Sequence, residues 1–483
     1  MREEDLSYFD NEEFKNTLRT YEEAMQQNQP IYMDADDLTD IAEYYMVNDQ
    51  EPMANKAIAL AVSLHPDSVD PQVFLSRQEM FHNRIERAHQ ICDAIPDQDD
   101  REVHLLRAEL FIREEMLEKA DEVINQACEK LVEEKDRFFY DAASIFMDYM
   151  QWGYALKWCN KLRTEYPRFR GVTEMEAEIR MGLGEYDEAI RLWNMMLDIN
   201  AYNTKAWLML AETQHAKEDY MGAIDSCEYL LAINEHDFGA LSTIARCYFD
   251  TGEYTKAHQY FEKAIAEEPN NTLYHMHAMC LFLLSEYDKA KQQLQKACET
   301  MADMDTEAKV HFSILNALIE SKLNNHVRAT EILDEMKSLI IQNRNKQEYE
   351  LICGQVMLEN GFTAEAREHF EEAMLQSDDY DKTALIIGIS YYENEMYTEA
   401  VNLLLALTDT LDSLTATHAL PYLAMCYMKM QDTQGFVRYL RLAGQLCPDV
   451  TQQLFEDYFP GLQPNEYYLY AHKNAYGFFP EDE

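Results

Sequence analysis

Two consecutive stretches of the chain repeat one another and decide its fold. Residues 207–234 read WLMLAETQHAKEDYMGAIDSCEYLLAIN, and residues 241–269 read LSTIARCYFDTGEYTKAHQYFEKAIAEEP. When the two are aligned, Ala257 falls on Ala223, 34 residues earlier. Each stretch contains two segments with apolar residues three and four apart, separated by a short polar turn. This pattern predicts a pair of antiparallel helices.

The same period runs through most of the chain. An alanine in the second predicted helix recurs at intervals of 32 to 39 residues, and Phe436 takes the last place. These anchors are Ala54, Ala88, Ala120, Ala155, Ala189, Ala223, Ala257, Ala290, Ala329, Ala366 and Ala400. Twelve residues before each anchor stands a small residue: Ala42, Ser76, Ala108, Ala143, Ala177, Ala211, Ala245, Ala278, Ala317, Gly354, Gly388 and Ala424. Small residues at this place allow the two helices of a hairpin to approach closely.

Apolar residues complete the repeat, because every anchor is followed by one at four and at seven residues. They form one stripe on the second helix. A single hairpin cannot bury such a stripe alone, so neighbouring hairpins must stack.

The pattern resembles the tetratricopeptide repeat family over about residues 35–448. Its signature places are filled in residues 241–269 by Gly252, Tyr254, Ala257, Phe261, Ala264 and Pro269. The resemblance implies an all-α fold, an α-solenoid forming a right-handed superhelix of about twelve helix-turn-helix repeats. Polar residues stand where the family prefers leucine at Arg107, Glu176, His277 and Asn316.

We expect four parts along the chain. They are a capping helix or half repeat (1–30), repeats one to eight (35–300), repeats nine to twelve (310–449), and a cap helix with an aromatic tail (450–483). Extra residues at 299–309 and 338–347 either lengthen helices, which we favour, or break the array. The tail carries Tyr467, Tyr468, Tyr470, Tyr476, Phe478 and Phe479. It caps the last repeat, folds into the groove of the array, or docks on a partner.

Charge narrows the choice of partner. The chain has 41 basic and 89 acidic residues, a formal net charge of −48. Such a surface repels nucleic acid and anionic membranes and favours a protein with a basic or amphipathic segment. We expect a cytoplasmic protein, because no leader or bilayer-spanning stretch is visible. The ten cysteines mostly occupy predicted core positions, which fits a reducing compartment.

No motif for catalysis, a cofactor or a metal is found, and we therefore predict that the chain is not an enzyme. The tripeptide at 237–239 spells DFG, as in kinases, but no glycine-rich loop accompanies it. Since it falls at a hairpin junction, we interpret Asp237 as a helix cap.

The resemblance implies that the first helix of each hairpin lines a concave groove. Its acidic part is represented by Glu43, Arg77, Glu109, Glu178, Glu212 and Arg246. Its apolar part is represented by Met276, Met279, Phe282, Leu318, Ile389, Tyr392, Tyr422, Met425 and Met428. Flexible methionines suit adaptable protein-binding surfaces. The alternative is that the acidic residues are merely solvated and the apolar ones pack on neighbouring hairpins.

The leading hypothesis is an interaction scaffold or adaptor that holds a peptide or helix of a partner in this groove. One alternative is a subunit of an enzyme complex, catalytic or not. The other is a structural spacer that assembles with itself.

Overall fold

The computed structural model describes residues 8–9, 11–27, 29–131, 134–298, 306–342, 346–408 and 413–476, without the side chains of 298, 306–308, 336, 338–342 and 476. These residues form twenty-seven α-helices and one 3-10 turn, and contain no strand. The prediction of an all-α fold is therefore confirmed. The chain divides into two compact units, residues 1–235 (unit 1) and 236–483 (unit 2).

Unit 1 contains a leading helix, α1 (Glu12–Gln26), and hairpins 1 to 6. The hairpins are α2–α3 (Ala35–Val47, Glu51–Leu64), α4–α5 (Val69–Phe81, Ile85–Ala94), α6–α7 (Arg101–Arg113, Leu117–Lys130), α8–α9 (Lys135–Asp148, Trp152–Glu165), α10–α11 (Val172–Gly182, Tyr186–Ile199) and α12–α13 (Thr204–Ala216, Tyr220–Ile233). Helix α1 packs Phe14, Leu18 and Tyr21 against the core of hairpin 1.

Unit 2 contains hairpins 7 to 12 and a C-terminal extension. The hairpins are α14–α15 (Phe238–Asp250, Tyr254–Glu267), α16–α17 (Asn271–Leu283, Tyr287–Cys298), α18–α19 (Thr306–Lys322, His326–Gln342), α20–α21 (Lys346–Glu359, Thr363–Leu375), α22–α23 (Tyr380–Glu393, Tyr397–Leu407) and α24–α25 (Leu414–Lys429, Thr433–Leu446). Helix α26 (Pro448–Phe455), a 3-10 turn (Pro464–Glu466) and α27 (Tyr467–Tyr476) follow. The twelve hairpins predicted from the repeat are all present.

The small residue of the repeat lies where the two helices of a hairpin touch. A Cβ on Gly354 would overlap the ring of Phe370, and one on Gly388 would overlap Leu404. In hairpin 2 the hydroxyl of Ser76 donates a hydrogen bond to the carbonyl of Ala88, at 2.9 Å. The small residue of the first helix therefore meets the second helix directly, at the anchor or at the apolar residue four places later.

Each hairpin turn contains one residue in the left-handed conformation, five residues before the anchor. The φ angles lie between 55° and 80° at Asp49, Asn83, Glu115, Met150, Gly184, Glu218, Gly252, Ser285, Asn324, Gly361, Glu395 and Gln431. Nine of the twelve are not glycine. Most side chains crowd the backbone at such φ angles, so the turns whose residue is neither asparagine nor aspartate, such as those at Met150 and Glu395, are strained.

We expect Glu395→Gly to stabilise unit 2 by about 0.5–1 kcal/mol, because glycine adopts this conformation without the steric cost. Urea unfolding followed by circular dichroism checks this. The matched change Glu371→Gly, at an exposed site inside α21, should instead destabilise by about 1 kcal/mol. If both substitutions raised the free energy of unfolding, or both lowered it, the strain argument would be contradicted.

Polar residues at the leucine position are accommodated by partners. Glu176 is buried and forms ion pairs with Arg163 and Arg180. His277 is buried too, and its Nε2 lies 2.7 Å from Nδ1 of His258. Burial is the main reason that the pKa of His277 is lowered to about 4. Hairpins with these departures therefore keep the common architecture.

The described residues omit 299–305, which are most of the first irregular segment, and 343–345, which are a smaller part of the second. The flanking helices α18 and α19 each have 17 residues, compared with 13 or 14 in most hairpin helices. Helix lengthening thus accounts for part of the extra sequence. The four-part division of the chain remains a prediction.

The C-terminal extension packs on α25, the second helix of hairpin 12. Tyr467 is fully buried in the core of this region, and its ring stacks on Phe459 at 4.9 Å. A Cβ on Gly444 would overlap the Pro464 carbonyl, so the backbones meet closely. The described part of the tail therefore covers the end of the array, while Phe478 and Phe479 lie outside the described residues.

The cysteines whose side chains the structure describes fill the core, as predicted. These nine are free and buried: Cys92, Cys128, Cys159, Cys227, Cys247, Cys280, Cys353, Cys426 and Cys447. Burial raises the pKa of Cys159, Cys353 and Cys426 to about 12. None of the helices in the described ranges has both the length and the apolar character needed to cross a bilayer.

Candidate functional site

The first helices of hairpins 1 to 4 together line a groove of about 620 Å³ in unit 1. Each of these helices packs against the next one, so α2, α4, α6 and α8 form a continuous layer. The lining residues are Asp36, Thr39, Asp40, Glu43, Asp70, Val73, Phe74, Arg77, Arg101, Glu102, Leu105, Glu109, Arg137, Asp141, Ile145 and Asp148. Most follow one another at spacings of three or four along their helix, which places them on one face.

Negative charge dominates this groove. Its lining has eight carboxylates and three arginines, a formal charge of 3 − 8 = −5. The central Arg77 is engaged, with Nε 3.0 Å from Glu109 and Nη2 3.9 Å from Glu102. Arg101 lies 2.7 Å from Glu102. Two of the three cations are therefore already paired with groove carboxylates, and a surplus of negative charge is left.

The pKa of one groove carboxyl group, Asp70, is strongly raised. Burial, a hydrogen bond shared with Asp36 and the charges of nearby carboxylates raise the pKa of Asp70 to about 6. Burial is also the largest cause of the raised pKa of Asp40, although Tyr8 donates a 2.7 Å hydrogen bond to it. The ionised form of a carboxyl group whose pKa is raised by burial and by like charges would be stabilised by an incoming cation.

Of the residues predicted for the acidic part of the groove, Glu43, Arg77 and Glu109 line this groove together. Glu178 lies on α10, where Lys205 bridges it to Glu174 at 3.5 and 2.6 Å. Two further predicted residues are not among the lining residues of this groove. Glu212 is half-buried on α12, and Arg246, on α14 of unit 2, donates to Thr243.

The predicted apolar residues lie on the first helices of unit 2. These are Met276, Met279 and Phe282 on α16, Leu318 on α18, Ile389 and Tyr392 on α22, and Tyr422, Met425 and Met428 on α24. All are half-buried except Met425, which is buried in the same core cluster as Phe455 of α26. The rings of Tyr392 and Tyr422 meet at 5.7 Å.

A second groove, of about 570 Å³, lies in unit 2 and includes two of these residues, Phe282 and Leu318. It also contains charges that the sequence reasoning missed. Lys322 lies 2.6 Å from Glu359, and burial raises the pKa of the neighbouring Glu393. This part of the first-helix face is therefore mixed in character.

Asp70 was likewise missed, although a signal for it existed. It stands 18 residues before its anchor, the place that Asp36 and Glu102 occupy in the adjacent hairpins. A comparison of the residues that stand 18 places before the anchor in all repeats would have identified Asp70 as a groove residue.

The comparisons with known proteins identify repeats of one kind. Residues 214–280 match the tetratricopeptide repeat family model. Tetratricopeptide repeat protein 21B of Xenopus laevis is 28% identical over 91 residues, which make up 19% of this chain and only 7% of that protein. A tetratricopeptide repeat protein from Parabacteroides merdae is 19% identical, with a TM-score of 0.38, over 50% of this chain and 94% of its own. The Cut9–Hcn1 hetero-tetramer of the APC/C gives 13% identity and a TM-score of 0.35, over 94% of this chain and 98% of its own.

Proposed function

We propose that this chain, a tetratricopeptide repeat protein, is a cytoplasmic scaffold without catalysis of its own, and that the groove of unit 1 holds a basic segment of a partner protein. The observation that carries the proposal is the formal charge of −5 on a groove built from four consecutive first helices. Protein binding is the general role of such repeats, and the charge specifies the kind of segment.

The dimensions of the groove suit an extended peptide. Packed helices lie about 8–10 Å apart, so four first helices span roughly 25–30 Å. An extended chain covers this distance with about eight residues, at about 3.3 Å per residue. Four of the lining residues, such as Val73 and Leu105, are apolar and offer contacts for the stems of lysine and arginine side chains.

The electrostatics suit lysine or arginine. Burial, the hydrogen bond with Asp36 and the charges of nearby carboxylates raise the pKa of Asp70, and a cation placed near Asp36 and Asp70 would favour the ionised form instead. The paired Arg77 and Arg101 hold neighbouring carboxylates in fixed positions, so these carboxylates need little rearrangement to receive the ligand.

A direct test uses two labelled peptides of about eight residues, one rich in arginine and lysine and one with glutamate in their place. Fluorescence anisotropy with the full chain should show saturable binding of the basic peptide and none of the acidic one. Binding that is equal for both, or absent for both, would refute the groove assignment.

We expect the affinity for the basic peptide to fall about tenfold between pH 7 and pH 5. Above the pKa of about 6, Asp70 is ionised and pairs with the ligand. Below it, Asp70 holds a proton that must be released on binding, so the free energy of binding becomes less favourable. Titrations at several pH values measure this dependence. Asp70→Asn should flatten the profile, and an unchanged profile in this variant would show that Asp70 is not the group involved.

A further inference from the structure

Hairpins 5 and 6 carry an apolar patch on their second helices and on the turn between the two hairpins. Five side chains compose it, with exposed fractions of 42% for Met195, 86% for Ile199, 79% for Tyr202, 60% for Tyr229 and 38% for Ile233. We call them the outer patch. They do not line the groove of unit 1, which is built from first helices. Apolar side chains gathered at this exposure mark an interaction surface.

The repeat itself provides a comparison for these positions. Met195 and Tyr229 stand six residues after their anchors, where the flanking hairpins 4 and 7 have Lys161 and Lys263. Ile199 and Ile233 stand ten residues after their anchors, where the same two hairpins have Glu165 and Glu267. Stacking of the array therefore does not require apolar residues at these positions.

A tryptophan links Tyr229 to the turn that carries Tyr202. The ring of Trp207, on α12, packs against the core that includes Trp193 of α11. It also stacks on Tyr229 of α13, with ring centres 4.9 Å apart. Its Nε1 donates a 2.9 Å hydrogen bond to the carbonyl of Ala201, in the turn that carries Tyr202. Tyr229 and the turn that carries Tyr202 are thus held in place before any partner arrives.

Acidic residues border the patch. Asp198 on α11, and Asp225 and Glu228 on α13, are exposed beside its apolar members. The one cation in contact with a patch residue among these described side chains is Arg191, which lies 2.9 Å from the sulfur of Met195 and is itself paired with Glu188 at 2.6 Å. The apolar residues themselves are four apart on each helix, as in Met195 and Ile199, and so form two ridges. Two apolar ridges with an acidic border fit a helix whose apolar face is flanked by lysine or arginine.

We propose that the outer patch binds an amphipathic, lysine- or arginine-flanked helix of another protein. A second copy of this chain is a poorer occupant, because each copy brings a net charge of −48 and the same acidic border. An anionic bilayer is repelled for the same reason. The surface acts independently of the groove of unit 1, so either assignment stands without the other.

The test uses a fluorescein-labelled helical peptide of about 18 residues, five turns long, with leucines three and four apart and lysines beside them. The full chain should bind it saturably in an anisotropy titration. Ile199→Glu with Tyr229→Glu should raise the dissociation constant at least about tenfold, since these are the central exposed apolar residues. The matched control, Gln126→Glu with Lys130→Gln, makes the same change in charge at the same repeat positions of hairpin 3. It should alter binding less than about twofold.

A second peptide, with serine in place of leucine, should not compete for the patch, which separates this binding from simple attraction to the acidic groove. Equal affinity of the wild type and the double-glutamate variant would overturn the proposal. Two further results would also overturn it, each by giving the patch another occupant. One is a dimer that sedimentation velocity detects for the wild type but not for the double-glutamate variant. The other is flotation of the wild-type chain with phosphatidylcholine vesicles that is lost in this variant.

Discussion

Glu43→Arg combined with Glu109→Arg is expected to weaken binding of the basic peptide to unit 1 about a hundredfold. The two reversals change the formal charge of the groove from 3 − 8 = −5 to 5 − 6 = −1. They also place an arginine opposite Arg77, which now lies 3.0 Å from Glu109. Loss of two favourable charge pairs at roughly 1.5 kcal/mol each corresponds to this factor.

The matched control reverses Glu129 and Glu165, which are exposed on second helices and make the same change in total charge. It should weaken binding no more than about threefold, through the long-range field alone. Melting curves by circular dichroism establish that both variants remain folded. If the two pairs of reversals weakened binding equally, the total charge of the chain and not the groove would be responsible.

Arg163→Met combined with Arg180→Met is expected to destabilise hairpin 5 by about 3–5 kcal/mol. Both arginines form ion pairs with Glu176, whose side chain is only 4% exposed. Without them the carboxylate is buried and has lost both of its counter-ions, which is among the costliest single defects in a core. Hydrogen exchange at the amides of α10 and α11 reports this loss locally, since a repeat array need not unfold in one step.

Glu176→Leu is the companion change, because leucine is what the repeat family prefers at this place. We expect it to be neutral or stabilising when combined with the two methionine substitutions, since an apolar triad replaces a buried charged one. If the two arginine substitutions cost less than about 1 kcal/mol, the carboxylate is better solvated than its burial indicates.

Most of the fold could be predicted from the repeat period of the sequence. The small residues at Gly354 and Gly388 were expected at helix contacts, and the structure places Phe370 and Leu404 against them. Such contacts repeat in every hairpin and are therefore visible as columns. The left-handed turns were less visible, since residues such as Met150 and Glu395 give no signal of their own and take this conformation because the flanking helices require it.

The candidate site was harder to predict, because it depends on neighbours that are remote in sequence. Glu43, Arg77 and Glu109 were placed on the groove by register alone. The raised pKa of Asp70 depends on its burial and on Asp36, 34 residues earlier, so no local pattern signals it. Met425 has the register of a groove residue, yet it is buried in the cluster that also contains Phe455 of the C-terminal extension.

The buried cysteines allow the transient local opening of single hairpins to be measured. Thiols react with alkylating agents as thiolates, so raised pKa values and burial protect them in the closed hairpin. Cys92, Cys159, Cys227, Cys353 and Cys426 each belong to a different hairpin. Pulsed alkylation followed by mass spectrometry would therefore record, from a single unmodified chain, which hairpins open first and how often. A partner held in the groove of unit 1 should slow the labelling of Cys92 and Cys159, whose hairpins supply first helices to that groove, and leave Cys353 and Cys426 unaffected.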